Sequence, residues 1–311
     1  MRIVALVPGG IGEQILFFPT LDNLKRKYNT STIDVVCEPS SKGAYRVSKS
    51  VSCVHVFDFK DRNSMADWGN LIGVIRDLEY DVAITSSQSW YTRLMLWLTG
   101  IGTRVGFEGN GSVFLNRVVP RNEEQYAACM YNDLLQGLGI NSSYPELTLN
   151  VPKPDIDWGS SEQLRLGVND TGYILVYGGG DADTSYPVEK WLSVIKDFRE
   201  KQPDMPVVVI SQPDNQDLLR ISEAIPDIKQ TFPDNIGKLA AIIAGANLML
   251  STSSAPMQLA VFLQTYTIAL FGLAEPTKLL PTSDKFIVIK SPTGSIADIP
   301  PATILEKVWQ G

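Results

Sequence analysis

Two turns from an apolar strand into an apolar helix constrain the fold of this chain more than any other feature. The first is IVALVPGGIGEQILFFP at residues 3–19, and the second is LMLSTSSAPMQLAVFLQTYTIALFG at residues 248–272. Such a turn aims free N–H groups and the positive end of a helix at whatever lies above the sheet, which suits phosphate or another anion. Two of them predict a ligand cleft between two α/β lobes.

Short apolar runs alternate with helical patterns along the chain, in two series. This alternation is typical of βαβ units and parallel sheets. We therefore predict an α/β fold with two domains, at residues 1–150 and 158–311, joined by a proline-rich linker at residues 141–157. The closing segment at residues 299–310 has a helical pattern, and two placements stay open for it: the end of the second domain, or a return onto the first.

Length, charge and cysteine content exclude several classes of protein. The chain has 311 residues, of which 44% are hydrophobic, enough for two domains with cores of their own. A net charge of −7 argues against binding to nucleic acid and against strong binding to an anionic membrane surface. Three widely spaced cysteines and one histidine favour neither a disulfide framework nor a zinc site. The first apolar run, residues 3–7, is too short for a signal peptide, so a cytoplasmic location is expected.

The first turn contains the main candidate for catalysis. Gly9, Gly10 and Gly12 permit backbone conformations with positive φ and let a ligand approach closely. Glu13 follows at once, and two interpretations of it remain open. A carboxylate in a first helical turn is stabilised by the helix dipole alone, and it is also placed to take a proton from a substrate hydroxyl. Pro19 is expected to kink this helix or to end its first segment.

A dinucleotide site is the rival interpretation of this turn. The spacing of a GxGxxG motif that starts at Gly10 puts Ile15 where the third glycine is required. Glu38 does end the second strand, as a ribose ligand would. A nicotinamide oxidoreductase is therefore the weaker alternative.

The second turn offers an anion site of hydroxyl and N–H groups. Ser253 or Ser254 is expected to cap the helix that begins near Ala255, with Pro256 in its first turn. The same hydroxyls and N–H groups are suited to a pyrophosphate. Gln258, one turn further on, is either a solvated helix residue or a hydrogen-bonding group at the cleft.

Four segments in this order resemble the heptosyltransferase family, glycosyltransferase family 9. They are GGIGEQILFFPTLDNLKRKY, LMLWLTGIGTRVGFEG, TSYPVEKW and STSSAPMQLAVFLQTYTIALFGLAEP. The resemblance covers most of the chain and implies the GT-B fold, in which two Rossmann-like domains face each other across a cleft. It also implies an enzyme that works without a metal or other cofactor. The implied donor contacts include Gly178 and Gly179, and Gly10 and Gly12 are implied to lie on the acceptor side.

The departures from the family fall on its chemistry. The catalytic Asp of the family is here Glu13, which is one methylene longer, and geometry matters where a base must be tightly placed. The Lys that meets the donor phosphate aligns with Thr184, which removes a charge-assisted contact. The family's Asp-Thr-Gly-x-x-His run aligns with Ser253, Ser254, Ala255 and Gln258, which removes a carboxylate and an imidazole. Either the donor differs or turnover has been lost.

Three further groups of residues have a structural and a functional interpretation. Asp181 and Asp183 form a DxD pair that either holds a metal or lies in a solvated loop, the latter being favoured. Lys190 and Lys278 are surface lysines by default, although either is near enough in sequence to replace the missing Lys. The apolar helix at residues 90–98 is read as buried core in preference to a patch for a lipid-linked acceptor. Gln125 opens the helix where the family carries a His near the acceptor.

Two hypotheses follow. The first is an inverting glycosyltransferase that moves a heptose or similar sugar from a nucleotide-sugar donor to a glycan or lipid-linked precursor at the cell surface, with peripheral contact to the inner membrane. Glu13 is then the base. The second is a GT-B scaffold that has lost catalysis and binds a glycan, a nucleotide or a protein partner.

Overall fold

The computed structural model describes residues 1–60, 64–141, 144–179, 185–211, 220–221, 223–225 and 227–310. The chain divides into two compact units, Met1–Asn150 and Val151–Gly311. In the part of the chain described, each unit contains a parallel sheet of six strands. The predicted α/β class with two parallel sheets is confirmed.

The first unit winds around a sheet with the strand order β3-β2-β1-β4-β5-β6. Its strands are β1 (Arg2–Val7), β2 (Thr32–Cys37), β3 (Cys53–Val56), β4 (Val82–Thr85), β5 (Thr103–Phe107) and β6 (Arg117–Val119). Its helices are α1 (Ile11–Lys27), α2 (Met65–Asp77), α3 (Trp90–Leu98) and α4 (Ala127–Asp133), with 3-10 helices at Pro39–Val47, Ser112–Phe114 and Leu134–Leu138. The strand order reverses between β1 and β4, and such a point leaves a crevice at the carboxyl ends of the strands.

The central strand shows why the sequence forms a parallel sheet. All residues of β1 from Ile3 to Val7 are fully buried. A continuous apolar run of this kind is typical of a strand that is covered on both faces, whereas a half-exposed strand alternates. Val4 and Leu6 point into one core cluster with Val36 and Ala83. The carboxyl end of β1 therefore has a rigid position from which α1 starts.

Helix α1 runs through Pro19 without ending there. It extends from Ile11 to Lys27, and Pro19 is buried within it together with Phe17, Phe18 and Leu21. Of the two outcomes expected at Pro19, the end of a helical segment is wrong, and the kink stays a prediction. A proline removes one backbone hydrogen bond, and the burial of large apolar side chains on both sides of it offsets that loss.

The second unit repeats the winding, with the strand order β12-β11-β10-β7-β8-β9. Its strands are β7 (Ile174–Tyr177), β8 (Val207–Ile210), β9 (Lys229–Thr231), β10 (Leu248–Thr252), β11 (Thr267–Phe271) and β12 (Phe286–Lys290). Its helices are α5 (Lys153–Leu166), α6 (Val188–Lys201), α7 (Ile236–Ala244), α8 (Ala255–Phe262), α9 (Pro276–Leu279) and α10 (Pro301–Gln310), with a 3-10 helix at Ile296–Asp298. Here the order reverses between β7 and β10, next to the second sequence turn.

The linker predicted at residues 141–157 extends too far into the second unit. Helix α5 begins at Lys153, with Pro152 as its N-cap and a proline in its first turn. The prolines suggested a linker, but the start of a helix is a position that tolerates them. The closing helix α10 packs on its own unit, since Ile304 is fully buried in the core cluster there and Trp309 stacks on Phe198 with the ring centroids 5.3 Å apart.

Within the described ranges, no helix combines the length and the apolar character needed to cross a lipid bilayer.

A buried carboxylate fastens α5 to strand β9 and makes stability depend on pH. Arg165 donates two hydrogen bonds of 2.7 Å to Glu162, and the Thr231 hydroxyl donates a third of 2.8 Å. The hydrogen bonds from Arg165, and then the one from Thr231, hold the pKa of Glu162 below its usual value of 4.5. A lowered folded-state pKa gives stability that is present above the unfolded pKa and is lost as the pH falls through the folded pKa.

We expect Glu162→Gln to lower the free energy of unfolding at pH 7 by about 1–2 kcal/mol, because a charged acceptor is lost. The difference from the unmodified chain should shrink as the pH falls below 4.5. Urea denaturation at several pH values measures both. The exposed Glu200 on α6 gives the control Glu200→Gln, and an equal loss at every pH would contradict the role given to Glu162.

Candidate functional site

Glu13 lies in the first turn of α1 with an exposed side chain. The side chain folds back over the preceding turn. Two distances show this: a Cβ atom added at Gly9 would lie 3.0 Å from Glu13 Cγ, and one added at Gly10 would lie 3.3 Å from Glu13 Oε2. In the described residues, neither a hydrogen bond nor an ion pair to this carboxylate is found. A carboxylate in this position is stabilised by the helix dipole.

The three glycines of the turn have different conformations. Gly9 has a φ of 115°, which favours glycine strongly. Gly10 is the N-cap of α1 with an extended backbone, and Gly12 lies within the helix. Of the three, Gly9 alone uses the positive φ that a glycine permits. A Cβ at Gly10 would displace the exposed Glu13 carboxylate by a few tenths of an ångström.

Gln14 braces the turn from below, and sequence reasoning missed it. Its side chain is fully buried, and Nε2 donates to the carbonyl oxygens of Val7 at 3.0 Å and Gly9 at 3.2 Å. The Tyr45 hydroxyl donates to Gln14 Oε1 at 2.5 Å, and the Ser41 hydroxyl donates to the Gly9 carbonyl at 2.7 Å. The only sequence signal was a glutamine inside an otherwise apolar run. These bonds fix the backbone that carries Glu13.

Removing the Tyr45 hydroxyl should weaken this brace. We expect Tyr45→Phe to lower the free energy of unfolding by about 1–3 kcal/mol, because Gln14 Oε1 is left buried without a donor. Chemical denaturation measures the loss. Tyr28→Phe on the same unit is the matched control, since Tyr28 is half-buried and its hydroxyl has no partner in the described residues. Equal effects of the two substitutions would contradict the bracing role.

Tyr131 lies within electrostatic reach of both Glu13 and Arg121. Burial raises the pKa of Tyr131 to about 12, the negative charge of Glu13 adds to the rise, and the positive charge of Arg121 opposes it. Tyr131 also packs on Phe17 of α1, with the ring centroids 5.5 Å apart. The phenol is thus neutral at physiological pH and forms part of the surroundings of the carboxylate.

Two other predicted residues of the first unit have partners. Gln125 Nε2 donates to Asp133 Oδ2 at 2.6 Å, just before α4, the helix that packs on α1. The Glu38 carboxylate is buried and accepts the N–H of Phe59 at 3.2 Å. Burial raises the pKa of Glu38. A ribose ligand needs an accessible carboxylate, so the dinucleotide interpretation finds no support here.

Arg93 is a buried cation that the sequence analysis passed over. It is fully buried on α3. Its guanidinium donates to the carbonyl oxygens of Ser87 at 3.3 Å and Asn110 at 2.8 Å, and to Gln88 Oε1 at 3.3 Å. Burial, and then the charge of Arg121, lower its pKa. Arg93 therefore joins the loops that follow β4 and β5, at the carboxyl edge of the first sheet.

The second turn leaves helix N–H groups without partners. Ser254 is the N-cap of α8, but its hydroxyl donates to the Thr252 carbonyl at 3.0 Å and does not cap the helix. The Ser253 N–H is used in the sheet, where it donates to Leu270. In the described residues, no acceptor is found for the N–H groups of Ala255 and Met257. The expected capping of α8 by a serine side chain is therefore wrong. Backbone N–H groups in the first turn of α8 are left as hydrogen-bond donors of the kind that suits an anion.

Gln258 is buried rather than solvated. Only 2% of it is exposed, and its Nε2 donates to the Leu279 carbonyl at 2.8 Å. Among the residues that the structure describes, its Oε1 and the fully buried Thr252 Oγ1 have no hydrogen-bond partner. Gln258 thus ties α8 to α9, next to Lys278, and a role in donor binding stays a prediction.

The glycines after β7 lie beside this turn in the sheet. Gly178 and Gly179 are buried at the end of β7, which pairs with β10. Gly179 has a φ of 97°, and the Gly178 carbonyl accepts the N–H of Tyr186 at 3.1 Å. Thr184 and the pair Asp181 and Asp183 lie outside the described residues. Elsewhere, in those that are described, no group of three or more His, Cys, Asp or Glu side chains is placed to hold a metal ion.

A cavity of about 560 Å³ opens at the carboxyl ends of β10, β11 and β12. Its lining consists of Ser185, Ser253, Gly272, Leu273, Ala274, Thr293, Gly294, Ser295, Ile296 and Ala297. The volume is in the range of small-molecule sites, and four of these residues carry hydroxyl groups. Gly272 is required for the packing of the wall, because a Cβ there would lie 2.7 Å from the Gly294 carbonyl oxygen.

The two candidate lysines differ in their availability. Lys190 donates to the carbonyl oxygens of Ala297 at 2.5 Å and Ile299 at 3.3 Å, so it supports the wall of the cavity. Lys278 is half-buried in α9, and its ammonium has no partner in the described ranges. Of these two lysines, Lys278 is the one without a partner in the described ranges, and its contact with a donor phosphate stays a prediction.

The predicted residues thus gather at the carboxyl edge of each sheet. In the first unit Gly10, Gly12 and Glu13 lie at the end of β1. In the second unit Gly178 and Gly179 end β7, while Ser253, Ser254 and Ala255 follow the neighbouring β10. The carboxyl edge of the first sheet presents a carboxylate without a partner in the described residues. The carboxyl edge of the second sheet presents hydrogen-bond donors and a cavity.

Comparison with known proteins gives a consistent result. The sequence profile of Glycosyltransferase family 9 (heptosyltransferase) matches residues 68–308. Lipopolysaccharide heptosyltransferase 3 of Escherichia coli is 22% identical, over 89% of this chain and 85% of that protein. The chloroplastic photosynthetic NDH subunit of subcomplex B 1 of Arabidopsis thaliana is 25% identical, over 97% of this chain and 72% of that protein.

Solved structures show the same fold. A glycosyl transferase family 9 protein from Veillonella parvula superposes with a TM-score of 0.86 and 18% identity, over 99% of this chain and 96% of that one. The E. coli ADP-heptose lps heptosyltransferase II gives a TM-score of 0.79 and 19% identity, over 100% and 98% of the two chains. The expected GT-B fold is confirmed.

Proposed function

The chain belongs to glycosyltransferase family 9, and from that premise we propose that it transfers a sugar from a nucleotide diphosphate donor to an acceptor hydroxyl with inversion. Membership of the family supports glycosyltransferase activity. The observation that carries the proposed mechanism is the exposed Glu13 carboxylate, which has no partner in the described residues and lies over a braced turn.

Glu13 acts as the general base. As the acceptor oxygen forms its bond to the anomeric carbon, its proton passes to the Glu13 carboxylate. The bond between the anomeric carbon and the diphosphate breaks on the opposite face, and the nucleoside diphosphate leaves with the electron pair. Gln14, Ser41 and Tyr45 keep the carboxylate in position through the turn, which matters because small displacements of a base cost rate.

The second unit binds the donor. The free N–H groups of Ala255 and Met257, with the α8 dipole, stabilise the negative charge that develops on the diphosphate. Lys278 supplies the positive charge that the family takes from the residue aligned with Thr184. The hydroxyl-rich cavity beside Ser253 holds the remainder of the nucleotide sugar. No step calls for a metal ion.

The donor and the acceptor are proposed by class. The E. coli structural relative is named for ADP-heptose and lipopolysaccharide, so an ADP-sugar and a glycan or lipid-linked precursor of the cell surface are the first to test. Ser253 and Gln258 replace charged or basic residues of the family, which favours a donor that differs from ADP-heptose in its sugar or base.

Calorimetric titration with a set of sugar nucleotides, ADP-heptose among them, tests the donor site. We expect one donor to bind, and Ser253→Leu to weaken that binding about tenfold or more by filling the cavity. Ser160→Leu, an exposed serine on α5, is the control. A folded chain that binds none of the donors would contradict the proposal.

A component of a protein assembly without catalysis is the second candidate. The likeness to the Arabidopsis NDH subunit extends over 97% of this chain, and the aligned donor residues have lost charge. This candidate predicts a folded chain that binds no sugar nucleotide and purifies from its native source in a fixed ratio with other subunits. Donor binding together with transfer that depends on Glu13 would exclude it.

A further inference from the structure

Two surfaces of the first unit lie outside the proposed transfer site. The outer face of helix α3 leaves 49% of Trp90, 51% of Trp97 and 44% of Leu98 exposed. The expected assignment of this whole helix to the core is therefore wrong. The second surface is a groove of about 470 Å³ beside strand β3, and unlike the face of α3 it has carboxylates in its walls.

The groove lies between β3 and helix α2. Five consecutive residues, 54–58, line it from the side of the strand. The residues that line it from α2 are spaced by three or four positions and so share one face of the helix. They are Asp67, Asn70, Leu71 and Val74. The groove therefore follows the strand and has a helix as its second wall.

Strand β3 is an open edge of the first sheet. In the described residues it pairs with β2 alone. The Ser52 N–H donates to the Ile33 carbonyl at 2.8 Å. Because the backbone groups of successive residues in a strand point to opposite sides, the N–H and C=O groups of Cys53 and His55 are directed away from β2. A further strand could pair with these groups.

Two carboxylates in the groove lack a cation in the described residues. Asp58 Oδ1 accepts the Lys60 N–H at 2.9 Å, and Asp67 Oδ2 accepts the N–H and the hydroxyl of Ser64, each at 2.8 Å. The other oxygen of each carboxylate has no partner in that part of the chain. The groove lining contains no lysine or arginine. The groove therefore offers acceptors and negative charge.

We propose that the groove binds an extended segment of a partner protein, which adds to β3 as a strand and brings a lysine or arginine side chain to Asp58 and Asp67. In this mode the backbone hydrogen bonds give affinity and the side-chain contacts give specificity. A cationic side chain forms charge-assisted hydrogen bonds with carboxylates. Val56 and Val74, which are 48% and 41% exposed, contact the apolar side chains of the segment. A second copy of β3 fits less well, since Cys53–Val56 contains neither lysine nor arginine.

Fluorescence anisotropy with the full chain and labelled seven-residue peptides tests the charge. One peptide alternates valine with arginine, and the other alternates valine with glutamate. We expect saturable binding of the basic peptide, at least tenfold tighter than that of the acidic one. Asp58→Asn should weaken it about threefold to fivefold, as loss of an accessible ion pair does. Val74→Lys should weaken it about tenfold, because it places a like charge in the groove.

The pairing of backbone groups needs a separate measurement. The basic peptide with methyl groups on alternate backbone nitrogens lacks the donors of a strand and should bind at least tenfold more weakly. The unmodified peptide should slow hydrogen exchange at the amide of His55. Glu124→Gln removes an exposed carboxylate outside the groove and is the control, which should leave the affinity unchanged.

Several outcomes would overturn the proposal. These are no saturable binding of the basic peptide, equal binding of the acidic or the methylated peptide, and an affinity that Asp58→Asn and Val74→Lys leave unchanged. A dimer in light scattering that Val74→Lys dissociates would assign the groove to a second copy of the chain. The assay uses neither donor nor acceptor, so its result is independent of the proposed transfer activity.

Discussion

Replacing Glu13 by glutamine is expected to lower sugar transfer by roughly 10²–10⁴-fold, the usual contribution of a general base. The amide has nearly the same shape but accepts no proton from the acceptor hydroxyl. Donor binding should remain unchanged, because the proposed donor contacts belong to the second unit. A transfer assay with the donor found by calorimetry, together with repetition of the titration, measures the two effects separately.

Two further variants make this result specific. Glu13→Asp restores the residue of the family and shortens the side chain by one methylene, so it should retain measurable transfer where Glu13→Gln does not. Glu124→Gln changes an exposed carboxylate elsewhere in the first unit and should have no effect. If transfer survives in Glu13→Gln, then Glu13 is not the base. The remaining interpretation is a carboxylate stabilised at this position by the helix dipole alone.

Substitution of Arg93 by methionine is expected to cost about 3 kcal/mol or more of the free energy of unfolding. The methionine keeps most of the apolar stem but leaves the Ser87 and Asn110 carbonyl oxygens and Gln88 Oε1 without this donor. Each buried acceptor that loses its partner costs about 1–3 kcal/mol. Chemical denaturation, followed by far-ultraviolet circular dichroism, measures the loss.

The matched control for Arg93 is an arginine on a helix surface. Arg199 on α6 is exposed, and Arg199→Met should change the free energy of unfolding by less than about 0.5 kcal/mol. Arg93→Lys keeps the charge and loses the planar fork of the guanidinium. Its loss of unfolding free energy should therefore lie between those of Arg93→Met and Arg199→Met. A small effect of Arg93→Met would show that the loops after β4 and β5 are held by other contacts.

The pattern of apolar runs predicted the architecture well, and the reason is local. A strand buried on both faces, such as Ile3–Val7, must be apolar throughout, and a turn of small residues must follow where the chain enters a helix. Both turns were therefore visible in the sequence, and the structure places them at the points where the strand orders reverse. The position of Glu13 in the first helical turn followed from the same pattern.

Two expectations from the sequence were wrong because proline occurs both in linkers and in helices. Prolines at residues 152 and 154 suggested a linker but begin α5, and Pro19 suggested a kink or a helix end but lies within a continuous α1. Proline is disfavoured in a helix interior and tolerated in a first turn, so its meaning depends on helix bounds that composition does not set.

The sequence by itself determined the two parallel sheets, the two strand-to-helix turns and the family, because these depend on short-range patterns of apolar and small residues. Only the tertiary structure decided that Gln14 braces the Glu13 turn, that Gln258 is buried, and that Arg93 is buried while Trp97 faces outward. The direction in which a side chain points depends on which surfaces pack against its helix, and the partners of Gln14 and Arg93 come from other segments of the chain. Such long-range contacts leave no periodic trace in a single sequence.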